Sequence, residues 1–190
     1  MLKIGILALQ GDFEAHARRI SELGAEPVLV RKPEQLAALD GLIIPGGESS
    51  VFLKLLGEQG FAQLADFVRN KPTFGTCAGC ILLAAEVENP PQHGLGALDI
   101  TVRRNAYGRQ IDSAILTGPS KLGSEPLEQV YIRAPRIERT GPEVEVLATR
   151  DGHAVLIRQG KLMAATFHPE LSEDPRVHAE FLRLVEEFRG

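Results

Sequence analysis

In the stretch PTFGTCAGCILLAA, Pro72 to Ala85, Cys77 has a glycine two residues away on each side, and Cys80 follows three positions later. Three chemistries fit a cysteine in such a setting: a dithiol redox pair, a sulfur that is simply part of an apolar patch, or a nucleophile held on a turn. A lone cysteine after a strand is most often a small hydrophobe. Gly75 and Gly79 point elsewhere. At a sharp strand-to-helix turn the two backbones pass so close that only very small residues fit, as in a nucleophile elbow. The apolar AGCILLAA that follows predicts a buried helix with Cys77 at its N-terminus. There the helix dipole and unpaired N–H groups favour the thiolate, which is the reactive form. The redox reading matches the Cys-x-x-Cys spacing, but the pair follows the fourth predicted strand, and redox chemistry does not need those glycines. Cys80 is expected on the inner face of the helix.

A nucleophile needs a base, and TFHPEL supplies one. Pro169 pushes His168 into an extended conformation, where residues i and i+2 point to the same side. Glu170 can then hold one imidazole nitrogen while the other faces Cys77, the relation of orienter to base in a catalytic triad. In IPGGESS, Gly46 and Gly47 offer bare backbone whose N–H groups can meet developing negative charge. We read an oxyanion hole from the Gly47 and Ala78 amides. In isolation the segment also fits a plain tight turn, whereas a phosphate cradle would need the Lys-Ser/Thr of a P-loop, which is missing. No metal site is expected, because His16, His93, His153 and His178 are dispersed without ligand spacing and read as surface or packing residues. No complete dinucleotide fingerprint occurs.

Positioning these groups is the task of the elements around them. LKIGILAL is a continuous apolar run of the kind found in strands covered on both faces. Asp12 is the expected N-cap of a helix whose buried stripe is Phe13, Ala17, Ile20 and Leu23, ending at Gly24. EPVLV and GLIIP read as strands around a short helix, PEQLAAL. SSVFLKLLGEQ and FAQLADFVRN read as helical, and PTFGT as the next strand. This alternation predicts a three-layer α/β fold over residues 1–190, a single domain with a mostly parallel central sheet and helices on both faces. The second half adds short strands: DITVRR, DSAILT, QVYIRA, EVEVLAT, HAVLIRQ and KLMAATFH. A final helix, capped by Asp174, is expected to bury Val177, Phe181, Leu184, Val185 and Phe188. Ligands of such sheets bind beyond the carboxyl ends of the strands, where Gln10, the Gly46-Gly47-Glu48 turn and Cys77 converge.

The 190-residue chain is 44% hydrophobic and 24% charged, with a net charge of -4 and no basic run. That balance argues against nucleic acid or an anionic membrane as partner. The apolar start is too short to span a bilayer and reads as a strand, not a secretory signal. Two cysteines without a disulfide framework point to a reducing cytoplasm.

A cysteine elbow, a Gly-Gly loop and a downstream His-x-Glu together resemble the class I, triad-type glutamine amidotransferases, a flavodoxin-like fold. Within that class, ILALQGDFEAH, IPGGESS, GTCAGC, RRNAYGRQ, YIRAP and ATFHPE are similar, in order and over nearly the whole chain, to the glutaminase subunits of pyridoxal 5'-phosphate synthases. The resemblance implies Cys77 as nucleophile, His168 as base and Glu170 as its partner. It implies glutamine contacts from Gly46, Gly47, Glu48, Arg104, Ile132 and Arg133, with Gln10 near the oxyanion site and the partner interface. The implied partner is a synthase subunit, a (β/α)₈ barrel, in a large hetero-oligomer. No cofactor is implied for this chain, since pyridoxal 5'-phosphate is the product of the complex. The chain departs from the family's commonest residues at Cys80, Ser50 and Tyr131.

Overall fold

The computed structural model describes residues 1–106 and 113–190. In chain order the elements are β1 (Lys3–Leu7), α1 (Phe13–Glu22), β2 (Glu26–Val30), β3 (Gly41–Ile44), α2 (Ser49–Asn70), β4 (Thr73–Thr76) and α3 (Ala78–Leu83). There follow β5 (Ala84–Glu88), β6 (Leu98–Arg103), β7 (Ser113–Ser120), β8 (Gly123–Ile132), β9 (Arg136–Thr140), β10 (Glu145–Arg150), β11 (His153–Gln159), β12 (Leu162–Ala165) and α4 (Arg176–Glu187).

Alternating side chains explain the layering. Along β1, Ile4 and Ile6 join a core with Ile20 of α1 and Phe181, Leu184 and Val185 of α4. Leu7 points the other way, into a core with Phe52, Leu64 and Val68 of α2 and the apolar side chains of α3. One strand thus feeds both cores, as expected of a sheet covered on both faces. Among the described residues the main sheet runs β2-β1-β3-β4-β12-β11-β10-β7-β8. Its first five strands are parallel, and β11, β10, β7 and β8 extend it antiparallel. A second sheet, β5-β6-β9, packs beside it.

The mostly parallel α/β sheet is the one expected, and several local details differ. PEQLAAL forms a 3₁₀ turn over Pro33–Ala38, because six residues opened by proline are too few to settle into α geometry. The two predicted helices of 49–70 are joined as α2 and kinked at Gly57, whose φ of 65° and ψ of -178° interrupt the helix. Asp12 stands at the N-cap of α1 but makes no side-chain cap, having turned towards His168 and Glu170. Phe188 lies beyond the end of α4 and is 45% exposed, with the Lys161 ammonium 5.9 Å over its ring, instead of joining the buried stripe. The strands β5 and β9 have no counterpart in the sequence reading. No helix of the described residues is long and apolar enough to cross a membrane.

Candidate active site

Cys77 follows β4, whose last residue, Thr76, pairs with Ala165 of β12. Its N–H donates to the Ala165 carbonyl at 2.9 Å, so the ladder holds the residue in place. Its φ of 50° and ψ of -105° lie in a region that a side chain rarely adopts, at a cost of roughly 1–3 kcal/mol. The glycines make that turn possible. A Cβ on Gly75 would stand 2.5 Å from the Gly79 carbonyl oxygen, and one on Gly79 would run into the Ile44 carbonyl of β3. Cys77 is 6% exposed, and its thiol donates to the Ile132 carbonyl oxygen at 3.9 Å. Cys80 is fully buried among apolar side chains, and this burial above all, with the neighbouring Cys77, pushes its thiol pKa far up. The two sulfurs do not form a disulfide.

His168 ends the run that begins with β12, and its N–H donates to the Val130 carbonyl of β8 at 2.7 Å. Its Nδ1 donates to Glu170 Oε1 at 2.6 Å, a short, charge-assisted bond. Burial opposes a charged imidazole here. Hydrogen bonding to Cys77 and Glu170, with the charges of both, overcomes it and raises the His168 pKa to about 10. Gly46 lies between nucleophile and base: a Cβ added there would sit 2.6 Å from His168 Cε1 and 3.5 Å from Cys77 Cβ. Only bare backbone fits between the two side chains.

The rest of the cleft closes around this pair. Gly46, Gly47, Glu48, Cys77, Arg104, Ile132, Arg133 and His168 line one cavity, together with Asp12 and Asn105. Gly47 has φ 129°, and Gln10 packs against it while donating from Nε2 to the Glu48 carbonyl at 2.5 Å. Ala78, the first residue of α3, is fully buried. Glu48 accepts from the Ser50 N–H at 3.2 Å and the Ser50 hydroxyl at 2.9 Å, and pairs with Arg104 at 2.9 Å. Partial burial would raise its pKa, but these donors outweigh it and leave the carboxyl below its ordinary value. Arg133 has φ 47° and lies on the exposed rim with Ile132. The structure thus gathers all the predicted site residues, while residues 107–110 of the RRNAYGRQ block lie outside the described part.

Two side chains of this neighbourhood were not singled out for function by the sequence. His16 of α1 and His178 of α4 are packing residues, as read, but what they pack against is the far side of Glu170. His16 Nε2 lies 3.4 Å from Glu170 Oε2, and its Nδ1 lies 2.8 Å from His178 Nε2. The available signal is that each histidine interrupts an apolar helical stripe. Among the described residues, Asp12, His168 and Glu170 lie close enough together to share an ion, but His168 Nδ1 is already engaged by Glu170 Oε1.

The geometry is that of a cysteine nucleophile, an oriented base and a cleft with both charge signs, suited to acyl transfer on a zwitterionic substrate. The chain is 67% identical over 184 residues to a protein of Koribacter versatilis named pyridoxal 5'-phosphate synthase subunit PdxT, covering 97% of this chain and 96% of that one. It superposes on a crystal structure of a glutamine amidotransferase with a TM-score of 0.90 and 45% identity, over 96% of this chain and 98% of the other. PurLQS of Thermotoga maritima shares the fold, with a TM-score of 0.66 at 15% identity over 96% and 98% of the two chains. The SNO glutamine amidotransferase family matches residues 6–187, and this chain belongs to that family.

Proposed function

We propose that the chain is the glutaminase subunit of a pyridoxal 5'-phosphate synthase, hydrolysing L-glutamine to L-glutamate and passing ammonia to a synthase subunit. The observation that carries the reading is the line from Cys77 through His168, both lining the cleft, to Glu170 buried behind them. Family membership and the name of the 67% identical relative support it. In this reading the whole chain acts as one glutaminase domain, works in the cytoplasm and needs no cofactor.

The thiol proton passes to His168, and the Cys77 sulfur attacks the side-chain amide carbon of glutamine. The carbonyl oxygen becomes an oxyanion, held by the Gly47 and Ala78 amides. His168 returns the proton to the amide nitrogen, the C–N bond breaks, ammonia leaves, and a γ-glutamyl thioester remains. Water then gives a proton to His168 and attacks the thioester, and glutamate departs as the sulfur is expelled and takes that proton back from His168. Arg104 would bind the substrate carboxylate and Glu48 the ammonium, each exchanging its present partner for the ligand's opposite charge. Gly46, Ile132 and Arg133 would complete the contacts. Gln10, which rests on Gly47 and is tied to Glu48, would pass a docking event on to the oxyanion turn. The partner in this reading is a barrel-shaped synthase subunit in a large hetero-oligomer.

Glutamate release from glutamine, measured with and without an added synthase subunit, tests the proposal. Strong stimulation by the partner and complete loss in Cys77→Ala are expected. A chain that is fully active alone and indifferent to the partner would refute the coupled assignment, and an active Cys77→Ala would refute the nucleophile.

A further inference from the structure

We propose that His16, backed by His178, is a positioning residue of this site: its Nε2–H holds Glu170 so that Oε1 stays on His168 Nδ1. The inference rests on the triad reading above and extends it by two buried residues, drawn from helices on the outside of the sheet.

Glu170 Oε1 is engaged by His168 at 2.6 Å. Its other oxygen, Oε2, is buried out of water and makes no well-formed hydrogen bond among the described residues. The side chain that approaches it as an ion-pair partner is His16, with Nε2 at 3.4 Å, and both side chains are fully buried. An ionised carboxylate has only lone pairs to offer. A bare His16 Nε2 would set lone pair against lone pair in a medium that screens little, so Nε2 carries the proton.

Both histidines are neutral. Burial, then the facing His178 and His168, holds the His16 pKa well below its ordinary value. Burial, then the charge of Arg19, lowers His178 to about 3. A neutral His16 protonated at Nε2 has a bare Nδ1, which accepts from His178 Nε2–H at 2.8 Å. The remaining nitrogen, His178 Nδ1, is then a bare acceptor, and it is the ring nitrogen found buried without a partner. The reverse tautomers would strand a buried N–H there and also place a lone pair against Glu170, two faults in place of one. The Thr76 hydroxyl, 3.4 Å from His16 Nε2, tolerates either arrangement. The chain of donors therefore runs one way, from His178 to His16 to Glu170, with His168 donating from the opposite side. It links α4, α1 and the turn after β12 across the end of β4. The charged and titratable groups around it are Glu170, His168, Arg19 and the Asp12 carboxyl beside the last two members of the triad.

Without the His16 donor, Glu170 is free to rotate away, and His168 loses its orientation. The test uses Cys77 alkylation by iodoacetamide across pH and the downfield Nδ1–H proton resonance of His168. Neither needs glutamine or a partner, so they read the relay even if the glutaminase assignment fails. Glutamine turnover in the complex with synthase is measured alongside. In His16→Leu we expect the acid limb of alkylation to move to higher pH, the resonance to weaken, and kcat to fall about tenfold with KM changed less than about twofold. His16→Gln, which can return an N–H to the same place, is expected to recover to within about threefold of wild type. A folded His16→Leu with a wild-type alkylation profile would overturn the inference. So would a loss that tracks lowered thermal stability and is not recovered in His16→Gln. If His16→Leu does not fold, His178→Leu carries the test: a smaller shift of the same limb is expected, and an unchanged profile refutes the direction of the relay.

Discussion

Cys77 and Cys80 stand three positions apart in one turn of chain, yet a serine at each position meets a different environment. Cys77 opens onto the cleft beside His168, on a backbone that would keep its positive φ with serine. Cys77→Ser is expected to keep the fold and abolish glutamine hydrolysis, because a serine hydroxyl is far less nucleophilic than a thiol beside the same base. At position 80 a hydroxyl would be buried in the core among Ile81, Leu82 and Leu83, at a cost of about 1–3 kcal/mol. Cys80→Ser is thus expected to unfold earlier in urea while retaining turnover per folded molecule. Initial rates and denaturation midpoints on both variants check this. Equal loss of activity in the two would instead restore the dithiol reading that the Cys-x-x-Cys spacing allows.

At the scale of elements, glycines decide which backbones can approach. The neighbours of three of them predict three outcomes for alanine. In Gly79→Ala the Cβ meets the Ile44 backbone, which cannot give way, so a stability loss of about 1–3 kcal/mol or more is expected. In Gly46→Ala the Cβ meets the His168 ring 2.6 Å away, so the fold persists while the base shifts and activity drops. Gly60 faces the Leu56 side chain at 3.6 Å, ordinary contact inside α2, and Gly60→Ala is expected to stabilise by about 0.5–1 kcal/mol. Melting curves and rates on the three variants separate these outcomes, and a fully active, fully stable Gly79→Ala would remove the steric basis of the elbow. The same contacts show what the sequence could disclose. Gly75 and Gly79 flag their turn because the constraint is local, and His168 and Glu170 are legible because two residues and one proline set their geometry. The strand β5 was hidden, since an unbroken apolar run such as AGCILLAA reads equally as helix or strand. What ends α3 after six residues is pairing with β6, beginning at Ala84 and Leu98. Charged RIERT became β9 by the same kind of non-local pairing. The bond between His16 and His178 joins residues 162 apart in the chain, a distance over which periodicity carries no information.

For the molecule as a whole, histidines set opposing slopes on the pH dependence of stability. His16 and His178 are buried with depressed pKa values, His178 down to about 3, so each takes up a proton more readily when unfolded. Their contribution is complete above the unfolded value near 6.5 and is lost as pH falls, at up to about 1.4 kcal/mol per pH unit for each group. His168 has the opposite sign. Its pKa is raised to about 10, so its contribution is complete below about 6.5 and declines as pH rises from there towards 10. Thermal stability is therefore expected to peak near neutrality and fall on both sides, with each limb assignable to named residues. His178→Leu is expected to make the acid limb shallower, since His16 still contributes, and to leave the alkaline one, whereas His168→Gln is expected to flatten the alkaline limb alone. Melting temperatures from pH 4.5 to 9.5 on wild type and both variants provide the measurement. An acid limb that keeps its slope in His178→Leu would mean that this histidine accepts its proton inside the folded protein, and the neutral pair packed behind Glu170 would have to be abandoned with it.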